Sequence, residues 1–320
     1  MKKTISMMLA VLLCVSVFAG CGGKNKEQTG TTTPGTTATD PTATETPGGN
    51  RVIFFGDTQI SYGQCVLDDE QSTNINDRLN DQGIFYQIGK ANGVEFQVTN
   101  YSFGGHKLSD FYTGSCAAGR GHDGHNHMND LDNYNYDYVV LQESAKSVDY
   151  DVVNAVTKMK ELFAAHNPNV KIIFVPQLIA YTNNYAWAKQ LEQLETMGVT
   201  VADVGFLQKS MIDGTLKVPG GNQAYNRYSF IISKSAQDGI NPNILTGYMT
   251  AMMTYCAITG QKAVDLAPLA KTSIVNDATQ LSAFRSKCYL SVTETNFDQV
   301  LLSETEMQGI RKLIDQVLAK

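Results

Sequence analysis

The chain has 320 residues, 42% of them hydrophobic and 18% charged, enough to bury one sizeable core. Its formal net charge is −6 and no basic tract occurs beyond the extreme N-terminus. That balance excludes nucleic acid as a partner class, because phosphate binding needs clustered Lys and Arg.

Residues 1–20 read as a processing segment. Lys2 and Lys3 give a positive start, and the apolar run from Ile5 to Phe18 is too short for a comfortable membrane span. The run ends in Phe18-Ala19-Gly20-Cys21, which resembles a bacterial lipoprotein signal. The resemblance implies cleavage before Cys21, lipid on its thiol, and an extracytoplasmic domain anchored on the outer face of the cell membrane. Phe18 stands where Leu is usual, and an ordinary secretory signal is the alternative. Residues 21–50 follow as the lipidated cysteine and a tether. From Gly22 to Asn50 there are ten Thr, with Pro and Gly supplying much of the rest, so almost nothing can be buried. Such a flexible coil spans on the order of 30 Å.

The remainder, 51–320, reads as one α/β domain. Val52 to Phe55 form a continuous apolar run, the signature of a strand covered on both faces, and it stops at Gly56-Asp57-Thr58. A helical pattern over Ile75–Asn92, interrupted at Gly83, precedes a second strand over Val94–Tyr101. Tyr136–Gln142, Val170–Gln177 and Val199–Val204 supply a third, fourth and fifth strand. Between them, Asp149–His166 and Tyr185–Met197 carry apolar residues at helical spacing, and Gly198 suits a helix stop. Ile244–Ile258 reads as a buried helix, and Ser303 with Glu306 forms a capping box for the last one. Strands alternating with helices predict a parallel five-stranded sheet in a three-layer α/β/α sandwich. Gln261–Phe297 shows short mixed segments without a clear period. Cys65, Cys116, Cys256 and Cys288 permit two disulfides, or remain buried thiols.

Three loops follow strands and converge at the sheet's carboxyl edge, where open α/β sheets place ligands. They are Gly56-Asp57-Thr58, Ser102-Phe103-Gly104-Gly105 and Gln142-Glu143-Ser144. Downstream, Asp238-Gly239-Ile240-Asn241-Pro242 precedes the 244–258 helix. In this order the blocks resemble the SGNH or GDSL-like hydrolases, which have a flavodoxin-like three-layer fold and act as esterases and acetyl hydrolases. The resemblance puts Thr58 at the nucleophile position and Gly105 in the oxyanion hole. Gln142 falls in the third block, as in a bacterial subgroup reading Leu-Gln-Glu, while Asp238 and Asn241 take the acid and base positions. Asp57, Ser61, His106 and Glu143 flank these positions as candidate binding residues.

Two departures weaken the catalytic reading. A hydroxyl nucleophile needs a base, and the amide of Asn241 does not titrate. The only histidines are His106, His122, His125, His127 and His166, so none lies downstream to take the role. Thr58 keeps a hydroxyl, but its β-methyl restricts χ1 and crowds an approaching ester carbon. The sequence therefore predicts an impaired esterase serving as a binding module for carbohydrate or an acylated surface polymer. The rival is an active ester hydrolase or deacetylase with rearranged residues, using Ser61, or His106 as a substitute base. His106 otherwise reads as a polar residue on the pocket rim.

A separate cluster, His122, His125, His127 and Asp130, could hold zinc or another divalent ion and supports a third reading, a metal-binding lipoprotein. Flanking glycines favour a solvated loop there instead. Among the aromatics, Tyr138 reads as core, Tyr134 and Tyr136 as rim contacts, and Tyr181 and Trp187 as packing or sugar-stacking groups near the carboxyl edge. No organic cofactor is expected.

Overall fold

In a computed structural model of the chain, the structure describes residues 50–57, 59–63, 65–66, 83–103, 105–114, 127–131, 135–143, 151–182, 189–221, 224–231, 242–269 and 304–320. Five strands, β1 (Arg51–Gly56), β2 (Gln97–Ser102), β3 (Tyr138–Leu141), β4 (Lys171–Phe174) and β5 (Thr200–Val201), form one sheet in the order β2-β1-β3-β4-β5. All four pairings are parallel, with Phe54 opposite Asn100 on one side and Val140 on the other. This is the flavodoxin-like order, in which the chain reverses its direction of growth between β1 and β3.

Side-chain alternation along the strands builds the two outer layers. Val52, Phe54, Val140 and Ile173 face one core. It is shared with α2 (Ile84–Ala91), α7 (Val204–Ile212), α8 (Ile244–Thr259) and α9 (Glu304–Leu318). Ile53, Phe55, Leu141 and Phe174 face the other, shared with α3 (Asp110–Thr113), α4 (Val152–Ala164) and α6 (Leu191–Thr196). Phe55 alone meets Tyr101, Phe111 and Phe163 edge-on at 5.4, 5.2 and 5.7 Å. Such contacts each contribute about 0.5–1.5 kcal/mol beyond area burial. The three-layer sandwich with five parallel strands is thus present as expected.

Local chemistry fixes the helix ends. Asp151 caps α4 through the Asn154 N–H at 2.9 Å, and Asn243 caps α8 through the Thr246 N–H at 3.1 Å. Gly260, at φ 72°, closes α8 in the left-handed region. Almost every residue of α8 is buried, so it runs through the core and not along its surface.

Several boundaries differ from the sequence reading. The fifth strand is only Thr200–Val201, because Asp203 accepts the Phe206 N–H at 2.9 Å and starts α7 at Val204. Of the helical patterns over 75–92 and 185–197, the described parts hold α2 and α6, and 75–82 and 185–188 lie outside the described residues. Ser303 and 270–297 lie outside them as well. Cys65 and Cys256 are buried free thiols, and Cys116 and Cys288 fall outside the description. Burial pushes both thiols up; that of Cys256 reaches about 12, with Asp315 adding to the rise and Arg311 opposing it. Among the described residues, no helix is long and apolar enough to cross a membrane.

Candidate functional site

β1 ends against β3. A Cβ on Gly56 would lie 2.6 Å from the Gln142 side-chain oxygen, so only glycine lets the two chains approach. That oxygen accepts the Asp57 N–H at 3.1 Å, and Gln142 Nε2 donates to the carbonyl of Glu143. Asp57 Oδ1 in turn accepts the Gln59 N–H at 2.8 Å, an Asx turn that starts α1 (Gln59–Tyr62). Gln142 is fully buried, so both ends of its amide are spent in holding the turn.

The second loop bends at Gly105, φ 77°, and the His106 N–H donates to the Phe103 carbonyl at 3.1 Å. His106 is not on a rim. It is 1% exposed, with its ring centroid 5.3 Å from Phe103 and 5.6 Å from Phe111. Glu143 is also buried, and its carboxylate accepts the Leu108 N–H at 3.4 Å, tying the third loop to the second. Ser61 is buried within α1.

A recess opens beside the β1 turn. Its walls come from Gln59, from Gln177 and α5 (Leu178–Thr182) after β4, from Gln208 on α7, from Arg227, Phe230 and Ile231, and from Pro242 and Thr246 at the start of α8. It contains about 290 Å³ of space between atoms, open mouth included, and has room for about one water molecule. Gln208 Nε2 donates to Thr246 Oγ1 at 2.6 Å, and that hydroxyl donates to the Phe230 carbonyl at 2.7 Å. Gly205 lets α7 close on this corner, since a Cβ there would stand 2.6 Å from the Gln177 carbonyl oxygen. Neutral amides dominate the polar lining. Among the described lining residues Arg227 is the one cation, and there is no carboxylate or imidazole.

Thr58, Asp238 and Asn241 lie outside the described residues, as do His122 and His125. His127 and Asp130 belong to a short 3-10 turn, His127–Asp130, whose side chains at those two positions are likewise outside the description. Among the described residues no group of three or more His, Cys, Asp or Glu is placed to hold a metal ion.

Tyr136 is not a rim contact, and Tyr181 takes the packing role expected of it. Tyr136 is buried at the amino end of β3 under the Arg51 guanidinium, 4.8 Å from the ring, at the opposite end of the strand from the candidate site. Tyr181 gives its hydroxyl to the Asp203 carboxylate and so braces the α7 cap. Burial pushes the Tyr181 hydroxyl up, and burial also raises Asp203 to about 6 against the Tyr181 and Phe206 hydrogen bonds. Tyr134 and Trp187 lie outside the described residues. Gln59, Gln177 and Gln208 were not singled out in the sequence. The signal for Gln177 was its place at the end of an apolar strand run, Val-Pro-Gln.

Neither a protein-family model nor a curated protein matches the chain. Among solved structures it is similar to a DUF4886-family protein from Bacteroides uniformis, at 11% identity and a TM-score of 0.44, covering 84% of this chain and 94% of that one. It is similar also to an extracellular lipase from Streptomyces rimosus, at 8% identity and a TM-score of 0.40, covering 66% and 99%. A carbohydrate acetylesterase from Sinorhizobium meliloti overlaps at 13% identity and a TM-score of 0.38, covering 66% and 98%. Similarity at this level assigns no role to any residue of this chain.

Proposed function

We propose that this chain is an SGNH-hydrolase-like lipoprotein, held outside the cytoplasm through Cys21, whose carboxyl-edge site binds a carbohydrate or an acylated surface polymer instead of cleaving it. The observation that carries this reading is the missing base. The block that would supply a histidine reads Asp238-Gly239-Ile240-Asn241-Pro242, and no histidine follows His166. A hydroxyl at position 58 then has no histidine from the last block to take its proton.

The structure supports the reading from two sides. His106, next in sequence to the second loop's glycines, is packed against Phe103 and Phe111. Gln142, the third-block residue of the resemblance, is buried with both amide ends engaged inside the chain. The turn keeps the scaffold of a hydrolase site while its polar groups act as struts. The experiment is an acetyl-ester hydrolysis assay on the full mature chain and its Thr58→Ala variant. Equal, background-level rates are expected, and turnover lost with Thr58→Ala would refute the proposal.

A further inference from the structure

We draw no further inference here: the strongest candidate, the buried Tyr181–Asp203 side-chain pair that joins α5 to the start of α7, can form its hydrogen bond with Asp203 charged or neutral, so as a pH-sensitive device it rests on the raised pKa of Asp203 alone.

Discussion

Gly247→Ala tests how the β1 turn is held. Gly247 lies one turn into α8 and meets the end of α1 backbone to backbone. A Cβ there would stand 1.5 Å from the Gly63 carbonyl oxygen and 2.8 Å from the Gly63 Cα. Reaching ordinary contact needs a separation of about 2 Å between α1 and α8, in a core packed to crystal-like density. Overpacking of this kind costs about 1–3 kcal/mol or somewhat more, because the clash is with backbone that no rotamer can relieve. Alanine returns about 1 kcal/mol through its better helix propensity. Taking the upper end of that cost, because the clash is with backbone, the net expectation is destabilisation of roughly 2 kcal/mol, or a Tm lower by about 4–8 °C for a domain of this size. The same shift moves Gln59 and Ser61 with α1, so the amide resonances of the recess should change as well. A Tm that rises, with helix propensity winning, would refute the close approach.

Asp203→Asn should flatten the pH dependence of stability. Burial lifts the Asp203 carboxyl from an ordinary 3.8 to about 6 in the folded chain, so the fold binds its proton more tightly than the unfolded chain does. Its contribution is therefore full below about pH 4 and is lost as pH rises through 6, a difference of roughly 1–3 kcal/mol. Asparagine keeps the cap and an acceptor for Tyr181 but has no charge to bury. Denaturant unfolding at pH 4.5 and 7 should show a smaller drop for the variant than for the parent, and an identical drop would contradict this. Arg311→Met tests the clamp of α9. Buried Arg311 donates to the Tyr248 hydroxyl at 3.1 Å and to the Leu266 carbonyl at 2.6 Å, so the variant strands both acceptors. A loss of about 2–4 kcal/mol is expected in denaturant unfolding, and a change under about 0.5 kcal/mol would contradict the role given to the guanidinium.

The layers of the fold were legible because strand burial on both faces leaves a plain mark. Val52–Phe55 has no polar position, and the structure places its residues alternately in the two cores. The α7 start was not legible, since Val199–Val204 is as apolar as a strand and only the Asp203 side chain, through its cap to Phe206, decides where extended chain ends. The site was legible as a set of loops but not as chemistry. Gln142 and Glu143 sit in their expected loop, and their burial turns them into struts. His106 looked like a rim residue because nothing local reveals that Phe111, five residues on, folds back over it. The recess joins residues from α1, the β4 loop, α7 and the start of α8, which no sequence pattern links.

The central claim is that the hydroxyl of Thr58 is not an activated nucleophile. The direct measurement is acetyl-ester hydrolysis by the chain beside its Thr58→Ala and His106→Ala variants. The account predicts three indistinguishable rates at the level of the uncatalysed reaction. A rate well above that level for the parent, abolished by Thr58→Ala, would contradict it.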